Sequence, residues 1–289
     1  LRFALLIFLF AHTLAPALNG ALQLLAAGVR QIEDGPPVPP GTTFVPGETV
    51  YYSVQVTGYT AISGAAPGTT PADQDTRKVR LNYKMDAFDP KGVKVVETIE
   101  SILDTTISQQ DKEWKPKVRS EILLPTFAPP GEYKVVTTVT DDVSKSSASS
   151  ETRFEVVGRS VESSAELTIR NFGFYRSEDD VKPLATAAYR AGDTLFARFD
   201  MVGFRFGERN TIDLAYDVAV LNPDGKEIYS QPNAAVEKSF SFYPKPFVPG
   251  GMNLSLQPNM RKGDYTVVLA IHDLIGRQNY ETRQSFSVE

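Results

Sequence analysis

From Pro130 the chain reads PGEYKVVTTVTD, and from Lys262 it reads KGDYTVVLAIHD. The echo belongs to a longer duplication whose parts recur in the same order. FVPGETVYYSVQVTGY from Phe44 pairs with YRAGDTLFARFDMVGF from Tyr189, and VRLNYKMDAFDPKG from Val79 with IDLAYDVAVLNPDG from Ile212. ETRFEV from Glu151 likewise pairs with RQSFSV from Arg283. A period well above about 100 residues implies two copies of a complete domain, not a solenoid of small units. The 289-residue length suits two such domains.

Within each copy the blocks alternate with period two. Val50, Tyr52, Val54 and Val56 alternate with Ser53 and Gln55, as Leu195, Ala197, Phe199 and Met201 alternate with Arg198 and Asp200. Val79, Leu81, Tyr83 and Met85 do the same, as do Ile212, Leu214, Tyr216 and Val218. β-Branched and aromatic residues at this period predict half-buried antiparallel strands. Asp89-Pro90-Lys91-Gly92 and Asn222-Pro223-Asp224-Gly225 are turns, with proline fixing φ and glycine at the end. LQLLAAGVRQIEDG from Leu22 lines up with LTIRNFGFYRSEDD from Leu167, which puts a first strand near Leu22. The expected fold is all-β: two tandem antiparallel sandwiches of about seven strands each, following a signal peptide.

The N-terminus carries Arg2, the apolar run FALLIFLFAHTL and then Ala15-Pro16-Ala17. A charged start, a short apolar stretch and a small-x-small site are read as a secretory signal peptide over residues 1–17. Domain 1 is then expected over 18–157, a short polar linker over 158–164 and domain 2 over 165–289. The sequence contains no cysteine, so disulfides, thiolate chemistry and zinc-thiolate sites are excluded and the cores alone must hold the fold. The expected location is secreted or periplasmic in a bacterium, with no transmembrane segment after cleavage. The net charge of −5 and the lack of a basic tract argue against a nucleic-acid partner.

Tyr133 and Tyr265 each open a late strand just after a Gly-acidic pair. This resembles the tyrosine corner of Ig-like sandwiches, where the ring packs inward and the hydroxyl bonds backbone at the preceding corner. With Y/F-x-x-G-D/E-T-V/L, D/N-P-x-G, G-D/E-Y-x-V and F-x-V in order, each copy resembles a bacterial Ig-like or macroglobulin-type domain. That resemblance implies a sandwich used for contact or spacing, without the thioester chemistry that would need a cysteine.

Catalytic candidates are few. His12 leaves with the signal peptide, so His272 is the histidine that remains, and Asp273 points to the opposite strand face. No G-x-S-x-G, HExxH or P-loop is present. Glu48/Asp193, Glu132/Asp264 and Asp141/Asp273 recur in both copies, which favours turn and corner roles. A calcium site at the domain junction could draw on Asp141, Asp142, Glu178, Asp179 and Asp180, although their spacing is unlike an EF-hand. The expectation is a non-enzymatic protein without cofactor or metal.

The differences between the copies are where function is expected. Copy one carries AISGAAPGTTPADQ from Ala61; copy two carries VEKSFSFYPKPFVPGG from Val236. The candidate binding residues are Trp114, Phe240, Phe242, Tyr243 and Phe247, aromatics in proline-broken connections. The competing reading has these aromatics capping the open edge of each sandwich or packing at the interdomain joint. The expected partner is a protein or cell-envelope component, with a glycan as a further option. Proteinase inhibition through an extended loop is the alternative function, and a pilus-type chaperone is a third.

Overall fold

The computed structural model describes residues 21–63, 76–108, 111 and 113–289. The proposed signal peptide, with His12, and the bulk of the Ala61 insertion lie outside the described residues.

The first copy contributes β1 (Gln23–Arg30), β2 (Thr43–Phe44), β3 (Thr49–Thr57), β4 (Ile62–Ser63), β5 (Thr76–Phe88), β6 (Ile99–Ser108), β7 (Lys117–Leu123), β8 (Gly131–Asp141) and β9 (Ser147–Val156). The second contributes β10 (Thr168–Tyr175), β11 (Ala188–Tyr189), β12 (Thr194–Val202), β13 (Ile212–Leu221), β14 (Glu227–Ser239), β15 (Val248–Ser255), β16 (Gly263–Asp273) and β17 (Gln278–Val288). In the first sandwich the sheet β1-β3-β7 faces the sheet β2-β9-β8-β5-β4, where β6 also pairs with β5. The second repeats this as β10-β12-β15 against β11-β17-β16-β13-β14. Pairing is antiparallel except for the two-residue strands β2 and β11, which run parallel to β9 and β17.

The alternation read from sequence becomes the core. Val50, Tyr52, Val54 and Val56 on β3 meet Val79, Leu81 and Met85 on β5 and Tyr133, Val135 and Val139 on β8 in one buried cluster. Leu195, Ala197, Phe199, Met201, Ile212, Leu214, Tyr265, Val267, Leu269 and Ile271 form its counterpart. Even the irregularities repeat. β1 bulges between Leu25 and Gly28, and β10 between Arg170 and Gly173. Ala26 and Asn171 take the left-handed backbone at those bulges, with φ of 49° and 52°.

The opening phrase forms a corner and a core strand. Tyr133 donates from its hydroxyl to the Pro129 carbonyl at 2.7 Å, and Tyr265 to the Arg261 carbonyl at 2.9 Å. Gly131 and Gly263 sit two residues earlier at φ 136° and 144°, where a Cβ would come within 2.8 Å of Pro90 and Pro223. Glycine is required there because backbone and turn proline approach too closely for any side chain. Tyr133→Phe and Tyr265→Phe remove a hydroxyl bond but keep the ring, so each is expected to cost about 1 kcal/mol of stability. Urea unfolding checks this; unchanged midpoints in both variants would mean that the hydroxyls hold nothing.

At the opposite pole, buried Asp141 and Asp273 do matching work. Asp141 accepts from the amides of Thr60 (2.6 Å), Val143 (2.8 Å) and Ser144 (3.3 Å). Asp273 accepts from those of Arg205 (2.8 Å), Ile275 (3.1 Å) and Gly276 (2.9 Å). Each carboxylate staples the hairpin after its own strand to the loop that leaves the facing sheet.

Candidate functional site at the joint between the sandwiches

The segment Phe240–Phe247, expected either to bind or to pack, divides into a buried part that packs and an exposed part. Tyr243 is buried and belongs to the core cluster of the first sandwich although its backbone belongs to the second. Its hydroxyl donates to Asp89 Oδ2 at 2.9 Å. The other oxygen of Asp89 already holds the turn, accepting from the amides of Lys91 (2.9 Å) and Val93 (2.7 Å). Burial, with the Asp89 carboxylate beside it, pushes the Tyr243 hydroxyl well above the ordinary phenol range. The bond therefore keeps its proton across the accessible pH range.

Phe247 is also buried, wedged between the two sandwiches. Its ring meets Phe127 edge-on at 5.2 Å, and the Arg159 guanidinium lies 4.7 Å over it. Arg159 also forks onto buried Asp200, with two bonds of 2.7 Å, and Asn171 supplies a third to the same carboxylate at 2.9 Å. A short linker held by a bidentate pair and a stacked ring has little freedom to swing. Lys245 completes the joint, bonding Glu237 and Ser239 at 3.0 and 2.9 Å while lying 6.0 Å from the Phe127 ring.

Phe240 and Phe242 point the other way, 67% and 47% exposed. The Arg209 guanidinium lies 5.2 Å from the Phe240 ring, and Asn210 donates to the Phe242 carbonyl at 2.6 Å. Both residues of that turn take left-handed backbone, with φ of 55° and 54°. Trp114 is not part of this group. It sits at the first sandwich's other pole, edge-on to Tyr59, whose hydroxyl donates to the Trp114 carbonyl at 2.7 Å.

The remaining candidates are committed locally. His272 lies with Nδ1 2.7 Å from Asn279 Oδ1 and Nε2 3.1 Å from Asp217 Oδ2. Asn279 first, and Asp217 after it, hold the imidazole above its ordinary value against the opposing effect of burial. The acidic residues considered for calcium do not converge. Asp141 is taken up by amides, Asp142 pairs with Arg80 and Lys145, and Asp180 caps the amides of Arg176 and Ser177. Among the described residues no group of three or more acidic or histidine side chains could hold a metal ion. No helix among them is long and apolar enough to cross a membrane.

Sequence reasoning missed Asp89, Phe127 and Arg159. A signal was present, because Asp89 and Phe127 stand where the second copy has Asn222 and Asn259. A difference at an otherwise duplicated corner marks the copy that has a neighbour there.

No family model and no curated protein matches the chain. Among solved structures it is similar to a family 123 glycoside hydrolase from Clostridium perfringens, at TM-score 0.29 and 13% identity, over 42% of this chain and 27% of that enzyme. It is also similar to the C-terminal domain of the Streptococcus agalactiae AgI/II polypeptide BspA, at TM-score 0.27 and 10% identity, over 91% of this chain and 99% of that one. A mutant of that domain gives TM-score 0.28 and 10% identity over 93% and 98% of the two chains.

Proposed function

We propose that this chain is a non-enzymatic contact and spacer module, exported to a bacterial envelope or beyond it. Its two Ig-like sandwiches would be held as one unit while an aromatic surface faces a protein partner. The observation that carries this reading is the division of one loop. Tyr243 and Phe247 close the joint, while Phe240 and Phe242 stay exposed beside it, next to the left-handed turn of Arg209 and Asn210. Exposed aromatics next to a rigid element are suited to association, because their rings bury much area at little cost in side-chain entropy.

The test uses Phe240→Ser with Phe242→Ser. Both side chains are exposed, so stability should change by no more than about 0.5 kcal/mol. Crosslinking of the mature protein in extract of its own envelope should capture a partner that the double variant loses. Equal capture by both proteins would overturn the contact role of this surface.

A further inference from the structure

The two sandwiches end in corners of the same design, and one of them is filled. In the first sandwich Val95, Leu124 and Ala128 are buried in the same cluster as the Tyr243 ring, with Asp89 and Tyr133 at its hydroxyl. The aligned residues of the second sandwich are Ile228, Leu256 and Met260, with Asn222 and Tyr265. They line an open cleft of about 730 Å³ at the distal pole. Ile228 is 50% exposed where its counterpart Val95 is 3% exposed. The framework is otherwise matched. The Ala128 and Met260 amides close the same turn, at 3.0 and 3.1 Å. The Leu124 and Leu256 amides bond Glu48 and Asp193 carbonyls, each at 2.9 Å.

The exit of the chain is matched too. Val157 donates its amide to the Phe44 carbonyl at 2.8 Å as the chain leaves the first sandwich, and Glu289 donates to the Tyr189 carbonyl at 2.9 Å. The strand ends beside the corner in both cases, with Val156 opposite Gly131 and Val288 opposite Gly263.

We propose that the distal pole is the receiving half of a second head-to-tail joint. Its occupant is another sandwich built like the second one, inserting an aromatic ring from the loop that corresponds to Ser241–Phe247. The proposal goes beyond the contact role of Phe240 and Phe242 and gives the socket to the counterpart of Tyr243. In the first sandwich the same corner already receives such a ring. The two sockets differ in ways that set the strength of the joint. Asn222 Oδ1 accepts the turn amides of Asp224 and Lys226 at 3.1 and 2.8 Å, so its Nδ2 takes the place of the oxygen that accepts from Tyr243. A tyrosine hydroxyl there must accept a hydrogen bond from a neutral amide, which is weaker than donating one to a carboxylate. Asn259 in place of Phe127 also removes the ring against which Phe247 packs. The distal joint is therefore the weaker of the two, and Asn222→Asp with Asn259→Phe should strengthen it.

Because the sequence lacks cysteine, one introduced thiol reports on the cleft. Ile228→Cys is placed in the full chain and in a chain extended after Glu289 by a second copy of residues 158–289. Maleimide labelling should slow about tenfold or more in the extended chain, since a covered thiol reacts only when its cover opens. Tyr243→Ala in the appended copy alone should restore the fast rate, and Asn222→Asp with Asn259→Phe should slow it further. Val95→Cys, covered by the existing joint, should stay slow throughout and shows that the first two sandwiches remain folded. Equal labelling in both chains with Val95→Cys still slow would overturn the proposal. So would a slow, concentration-dependent rate in the unextended chain, which would make a second copy in trans the occupant. If the extended chain does not fold, a synthetic peptide of Ser239–Val248 replaces it. Protection of Ile228→Cys by millimolar peptide, lost when its tyrosine is alanine, supports the socket; no protection overturns it.

Discussion

Tyr243→Ala is expected to unlock the two sandwiches while leaving each one folded. The ring is buried in a core to which its own domain contributes little else, so its loss leaves a cavity in the first sandwich. Removal of a large buried aromatic costs about 3–5 kcal/mol, and here that cost falls on the joint. Asp89 also loses the hydroxyl bonded to its second oxygen while remaining 4% exposed, which adds an unsatisfied carboxylate oxygen until water enters. Hydrogen exchange should quicken at the Asp89–Val95 turn and at the Phe247 segment, and small-angle scattering should show a broader distribution of interdomain distances. Tyr243→Phe, which keeps the ring, should lose about 1 kcal/mol and preserve the distance distribution. If the alanine variant scatters like the parent, the joint is held by Arg159 and Phe247 without help from the tyrosine.

Asp141→Ala and Asp273→Ala are expected to be the costliest changes at the opposite pole. Each strips the acceptor from three backbone amides that lie on two different loops. The loss should be about 3 kcal/mol for each sandwich, or roughly 10 °C in the melting temperature of the affected domain. Calorimetry of the two-domain chain would show one transition shifted and the other in place. For Asp141 the effect also carries a pH signature. Burial pushes its carboxyl upward, yet the amides of Thr60 and Val143 and further bonds from Thr60 and Ser144 outweigh it and hold the group below its ordinary value. A depressed folded value means that the contribution is fully present above the unfolded value, near pH 4, and disappears as pH falls through the folded one. The gap between parent and Asp141→Ala should therefore be constant from neutral pH down to about 5 and close at lower pH. A gap that persists in strong acid would mean that the side chain acts through packing rather than charge.

Much of this was legible in the sequence because it is local or repeated. Alternation along β3, β5, β12 and β13 gave which side chains face inward, since a strand reverses its side chains at every residue. The D/N-P-x-G turns and the glycines before Tyr133 and Tyr265 required one backbone geometry each. The duplication then served as an internal alignment, so that Asp141 and Asp273 could be read as corner residues. What stayed hidden was the assignment of the aromatics in the Phe240–Phe247 loop. Four aromatics between prolines carry no periodicity, and nothing in their spacing tells a ring that meets solvent from one that meets another domain.

The sequence by itself determined two all-β copies, their strand faces and their corners, because those follow from periodicities and turn chemistry that act within a few residues. The tertiary structure alone decided that Tyr243 fills the first sandwich while Phe240 and Phe242 remain outside. It also decided that one of two like corners is filled and the other open. Those outcomes depend on which surface lies opposite a loop once the linker has closed, and residues 154 apart, such as Asp89 and Tyr243, meet only then.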